Sequence, residues 1–187
     1  MVERLNREAV IDRAASLADE LGLDEVTITK LGRALGIAPP GVYRHVVVAG
    51  PPRPAVGRRA ASEVAGVLAA ACTGLSGREA LGALADALRE WAVAHPGRYA
   101  ALQVAPDPDD AAGQARAADV LAVFGAALRA YALEGDDLTD AIRLVRSGLH
   151  GFIALERDGG FRQPRSVDAT FTRLVDSFDV TLWSWKG

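Results

Sequence analysis

Three features of this 187-residue chain predict an all-α fold. Apolar residues recur at helical spacing along most of its length. Cap and stop residues fall where each apolar stripe begins and ends. The one β-branched run, Val46-Val47-Val48, has no alternating segment nearby with which to pair.

The elements follow in order. Asn6 caps a first helix, with Glu8 in its first turn, an apolar stripe of Val10, Ala14, Leu17, Ala18 and Leu21, and Gly22 as the stop. Thr27 caps a short second helix carrying Leu31 and Leu35, which Gly36 ends. Pro39 and Pro40 fit only the first turn of a third short helix, which carries Val42, Tyr43, Arg44 and His45. The stretch Val46–Pro54, VVVAGPPRP, interrupts the pattern. A fourth helix runs from Ala55 to about Ala71. A fifth runs from Ser76 to His95, with Leu81, Leu84, Leu88 and Trp91 on one face, until Pro96-Gly97 ends it. A helical piece spans Arg98 to Gln103. After the loop APDPDD come helices from about Asp109 to Leu133 and from Asp136 to Arg157, the second broken off by Gly159-Gly160. Ser166 or Asp168 caps the last, which ends near Trp185. There is no internal repeat.

Half of the residues are hydrophobic, enough for a sizeable core without staples. The single cysteine, Cys72, lies in a run of alanines and reads as a small buried thiol with no disulfide partner. No stretch approaches the roughly 18 charge-free residues of a membrane span. The charged start, MVERLNREAV, does not read as a signal peptide, so a reduced cytoplasm is expected and no membrane partner. The net charge is −3, but it is unevenly spread. Residues 1–25 hold three basic and seven acidic side chains, and residues 63–187 hold twelve and seventeen. Residues 26–62 hold Lys30, Arg33, Arg44, Arg53, Arg58 and Arg59 and no acid at all. Such a block reads as the footprint of an anionic partner or as a solvated face.

An enzyme is the main rival class. The three histidines, His45, His95 and His150, stand at no metal-ligand spacing. There is no G-x-S-x-G, no phosphate-cradling glycine loop and no H-E-x-x-H. Glu156 and Asp158 read as a solvated helix end. No catalytic residue, metal or cofactor is expected. A helical protein-interaction module, the third class, leaves the acid-free block unexplained.

The second helix, the Gly36 turn and the third helix make a compact helix-turn-helix. Gly36 permits the sharp reversal, Gly32 and Ala34 allow close approach, and Leu31, Leu35, Ile37 and Val42 form the seam beneath. The segment REAVIDRAASLADELGLDEVTITKLGRALGIAPPGVYRHV resembles the DNA-binding domain of the TetR family. The resemblance rests on Leu21-Gly22, Val26-Thr27-Ile28, Leu31, Ala34-Leu35-Gly36-Ile37 and above all Val42-Tyr43-Arg44-His45. It implies that Tyr43 and His45 contact phosphates and that Thr27 sets a helix N-terminus on the backbone; the charge block adds Lys30 as an expected phosphate contact. Pro39, Pro40, Gly41 and Arg44 would then face base edges or sugars. From the residues alone, Tyr43 also fits a half-buried core aromatic, and His45 a helix C-terminal cap. Gly41 offers no side chain, so shape readout would carry much of the specificity.

Two departures stand out. Ala38 replaces the usual serine or threonine cap, at about 1 kcal/mol of helix stability. The stretch VVVAGPPRPAVGRRAASEV replaces the usual lead into the fourth helix. It reads either as a natural longer loop, in which Arg53, Arg58 or Arg59 supplies the basic phosphate contact, or as a local reading-frame error.

The remainder resembles the C-terminal part of a TetR subgroup named for a Trp and a His-Gly pair, through EWAVAHPGRYAAL (Trp91, Tyr99) and RSGLHGFIALERDGGF (His150, Gly151, Phe161). The resemblance implies a homodimer closed by the last two helices and a small-molecule effector of unreadable identity among the central ones. Effector contacts are expected from Trp91, Tyr99, Phe124, Leu128, His150 and Phe152. The dimer seam is expected from Leu149, Ile153, Phe171, Leu174, Phe178 and Leu182, which with Ile142 and Val145 form two apolar stripes. The expected organisation is a DNA-binding domain at 1–50, a connecting loop and helix at 51–75, and an effector-binding and dimerisation domain at 76–187. The expected function is that of a repressor, bound to palindromic double-stranded operator DNA and released by the effector.

Overall fold

The computed structural model describes residues 6–38, 40–41 and 52–185, and among them every regular element is a helix. The α-helices are α1 (Arg7–Leu21), α2 (Ile28–Leu35), α3 (Pro52–Ala71), α4 (Gly77–Ala94), α5 (Pro96–Leu102), α6 (Ala111–Ala127), α7 (Gly135–Arg157) and α8 (Val167–Ser184), with 3₁₀ turns at Leu23–Glu25 and Arg129–Tyr131. The chain forms two compact units. The first joins Met1–Glu63 with Ala94–Asp119, and the second joins Val64–Val93 with Val120–Gly187.

Caps read from the sequence hold. The Asn6 side chain accepts the Ala9 N–H at 2.8 Å, Thr27 accepts that of Lys30 at 3.2 Å, and Ser166 that of Ala169 at 3.2 Å. Pro96 opens α5 behind His95, rather than merely ending α4. Other boundaries differ. α3 starts at Pro52, because Pro52 and Pro54 both fall in a first turn that needs no N–H from them. Its Ala55, Val56, Ala60, Ala61, Val64 and Leu68 form one buried stripe at helical spacing. The helix expected over Asp109–Leu133 breaks after Ala127 into the 3₁₀ turn, which Ala132 closes in the left-handed region at φ 50°.

In the first unit, α1 packs on α2 and on α5. Val10, Ala14, Ala15, Leu17 and Ala18 of α1 meet Val26, Leu31, Val56 and Ala101 in one core. Alanines on that face let helices approach closely. Gly97 goes furthest, lying directly against the Ala18–Asp19 backbone, where a Cβ would come within 2.6 Å of the Asp19 nitrogen. Asp19 fixes this contact: its Oδ1 accepts the N–H groups of Gly97 and Arg98, each at 2.9 Å. The Arg98 guanidinium reaches both Asp19 and Glu63, at 3.2 and 3.1 Å.

In the second unit, α7 packs on α8. Gly148 leaves room for the Phe178 ring, whose Cε1 would lie 2.9 Å from a Cβ there. Phe152, Phe161 and Phe171 cluster with centroids 4.8–5.0 Å apart, and Arg89 lies 4.7 Å over Phe171 while pairing with Glu156 and Asp168. Its hydrogen bonds to these carboxylates, Glu156 first, hold the guanidinium pKa above its ordinary value. Tyr131 is fully buried and donates to Asp179 at 2.5 Å; burial first, and then that carboxylate, push its phenol pKa up.

Candidate nucleic-acid interface

The helix-turn-helix frame is built locally. After Leu35 the chain reverses at Gly36, whose φ of 67° lies in the left-handed region. The Gly36 N–H bonds to the Arg33 carbonyl at 3.2 Å and the Ile37 N–H to the Gly32 carbonyl at 2.9 Å, a Schellman closure. Ile37 then packs back on the α1–α2 core, as do Ile28, Ala34 and Leu35. Ala38, at the expected cap, has no side-chain acceptor, but its carbonyl takes the Gly41 N–H at 2.8 Å. Pro40 and Gly41 are helical. Among the described residues, the atoms nearest a Cβ on Gly41 would be those of Ile37, at an ordinary 3.6 Å. Helical glycine costs about 0.5–1 kcal/mol against alanine, and no described neighbour requires it here. Pro39, Val42, Tyr43, Arg44 and His45 lie outside the described residues, and with them most of the expected recognition helix.

Four of the five described cations of the acid-free block are paired with carboxylates. Lys30 pairs with Glu25, and Arg53 Nη2 with Asp24 Oδ1 at 2.6 Å. Arg58 is largely buried and bonds to Asp110 at 2.6 Å. Arg59 lies among Glu8, Asp12 and Glu63, with its closest contact at 2.7 Å. Arg33 is exposed and makes no ion pair with a described residue. The acids come from flanking segments, so counting charges along the chain overstated the block. Of the three arginines weighed as a phosphate contact, Arg58 and Arg59 brace α3 within its unit, and Arg53 stays at the surface.

The expected effector contacts are divided between the two units. Trp91, Phe124 and Leu128 are buried in the second unit, Phe152 belongs to its aromatic cluster, and Tyr99 is buried in the first unit. His150 is exposed on α7. Among the expected seam residues, Leu149, Ile153, Phe171, Phe178 and Leu182 are buried within the protomer itself, and Leu174 is half-buried. The five buried ones are apolar because they hold α7 and α8 to their own unit. The outward faces carry Leu155, Val180 and Trp183, which are 53%, 70% and 47% exposed. Sequence reasoning passed over these because the stripes beside them were stronger.

Residues 81–178 match a family model described as the tetracyclin repressor-like C-terminal domain. An uncharacterised HTH-type transcriptional regulator of Mycobacterium tuberculosis is 34% identical over 177 residues, 92% of this chain and 79% of that protein. The class D tetracycline repressor of Escherichia coli is 54% identical over 43 residues, 23% of this chain and 20% of its own. Among solved structures, BioQ with its natural double-stranded DNA operator has the same fold at TM-score 0.65 and 23% identity, over 95% of this chain and 99% of that one. Fold and matches together define a helix-turn-helix transcriptional regulator, not an enzyme. The chain belongs to the TetR family.

Proposed function

We propose that this protein is a repressor that binds a palindromic operator in double-stranded DNA as a homodimer and is released by a small molecule. The observation that supports the reading is the α1–α2 frame, closed at Gly36 and followed by a helical turn at Pro40-Gly41 in which no described residue crowds a Cβ on Gly41. A glycine there lets the backbone approach DNA closely. Thr27 and Lys30 at the start of α2, with Tyr43 and His45, are assigned to phosphates, and Pro39, Pro40, Gly41 and Arg44 to base edges and sugars. A gel-shift titration on the DNA flanking the protein's own gene, run over a salt series, tests this. Affinity should fall steeply with salt. Lys30→Ala and Tyr43→Ala should weaken binding to all sequences alike, and Lys30→Ala should flatten the salt slope by up to about one. Binding indifferent to salt overturns the reading.

The effector is assigned to the apolar and aromatic residues Trp91, Phe124 and Leu128, with His150 and Phe152 as further proposed contacts of the same unit; the buried set supports an apolar or aromatic ligand. One relative is named a tetracycline repressor, so tetracycline is the first probe for release of labelled operator, within a panel of aromatic compounds. For whichever compound releases the operator, Trp91→Phe should raise the half-releasing concentration about tenfold and leave operator affinity within a few-fold, since release requires differential binding to the two states. Unchanged release removes Trp91 from the site. No helix among the described residues is long and apolar enough to cross a membrane.

A further inference from the structure

The acids that pair with Lys30 and Arg53 come from one short element. Asp24 and Glu25 both sit on the 3₁₀ turn Leu23–Glu25, immediately before the Thr27 cap of α2. Asp24 reaches across 29 residues to Arg53 in the first turn of α3, and Glu25 reaches forward to Lys30 in the first turn of α2. Lys30 donates to the Glu25 carboxylate and holds its pKa below the ordinary carboxylate range. Neither pair is a core brace. The Asp24 side chain is 88% exposed, and its three counterparts are all at least 40% exposed. Pairs this open contribute little to stability. The half-buried pairs of the same unit, Arg58–Asp110 and Arg98–Asp19, are a different kind of contact.

We propose that Asp24 and Glu25 are built-in counter-charges that set how tightly the protein holds DNA. In the free protein their carboxylates occupy the two cations that flank the start of α2. On DNA, backbone phosphates take the same cations, and each carboxylate is left beside a phosphate. The exchange subtracts from the part of the affinity that ignores sequence, because phosphate contacts carry no base information. Base and shape readout are untouched, so affinity for operator and for random sequence falls alike. The inference rests on the DNA-binding reading above and adds two acidic residues as determinants of DNA affinity and its salt dependence.

Anisotropy titrations of the full chain on an arbitrary-sequence duplex and on an operator selected from random DNA test it. Glu25→Gln and Asp24→Asn should each tighten arbitrary-sequence binding about three- to tenfold at low salt, the worth of one surface ion pair plus relief of repulsion. The salt dependence should steepen, and the gain should shrink as salt is raised. The gain must also depend on the partner: Glu25→Gln in a Lys30→Ala background, and Asp24→Asn in an Arg53→Ala background, should yield less than about twofold. Glu134→Gln, an exposed acid of the second unit, changes net charge equally and should leave binding unaltered. Gains no larger than that of Glu134→Gln, or gains that persist without the paired cation, overturn the counter-charge role while DNA binding stands. If the unaltered protein binds neither duplex at low salt, the DNA-binding reading fails, and the inference with it.

Discussion

Gly97→Ala should lower the stability of the protein by about 3–6 kcal/mol, a large share of the 5–15 kcal/mol that holds a typical domain together. The new Cβ would fall inside the van der Waals surface of the Ala18 carbonyl and within 2.6 Å of the Asp19 nitrogen. Both neighbours are backbone of α1, so no side chain can swing aside. Relief requires α5 to lift from α1, which costs about 1–3 kcal/mol in packing. It also pulls the Gly97 and Arg98 N–H groups away from the Asp19 carboxylate, at about 1.5–3 kcal/mol for a hydrogen bond to a charged group, discounted here for partial exposure. Asp19→Asn keeps an acceptor oxygen and the helix contact, so it should cost only about 1 kcal/mol. Urea unfolding followed by circular dichroism measures both. If Gly97→Ala loses less than about 1 kcal/mol with an unchanged denaturant slope, α5 is not locked to α1.

That contact marks a limit of what the chain discloses. Gly97 reads in the sequence as a helix stop beside Pro96, and nothing local says that it touches a helix almost eighty positions earlier. Asp19 reads as one more polar residue on α1. Local signals were legible because their causes are local: Asn6, Thr27 and Ser166 bond to N–H groups three residues on, and Gly36 alone satisfies its turn. The charge block was legible only in part. Lys30 and Arg53 carry positive charge, but the acids that answer them belong to the preceding turn, and Asp110, which holds Arg58, lies beyond the middle of the chain. The apolar stripes of α7 and α8 were also found correctly as stripes. Periodicity gives the apolar face of a helix, yet it does not say whether that face meets the same protomer or another copy. Burial answers this for Leu149, Ile153, Phe171, Phe178 and Leu182, which meet their own.

The proposed homodimer then has to use what those residues leave uncovered. A paired substitution, Leu155→Glu with Val180→Glu, should convert the protein to a monomer. Both positions are more than half exposed in the protomer, so a carboxylate there stays in water when the chain is alone and its helicity should be kept. In a two-fold seam made of α7 and α8, burying above about 1,000 Å², the same carboxylates would be desolvated without a partner. Operator affinity should fall about 10²–10⁴-fold, because each head would bind a half-site without the effective concentration its twin supplies. Phe178→Ala should behave differently. The ring fills the space above Gly148, and its loss should cost about 3–5 kcal/mol of protomer stability before it alters assembly. Light scattering and circular dichroism on the two variants separate these outcomes. A helical monomer from the outward pair together with a destabilised Phe178→Ala places the seam on the open faces. A dimer that survives Leu155→Glu with Val180→Glu means that the two copies meet on another surface.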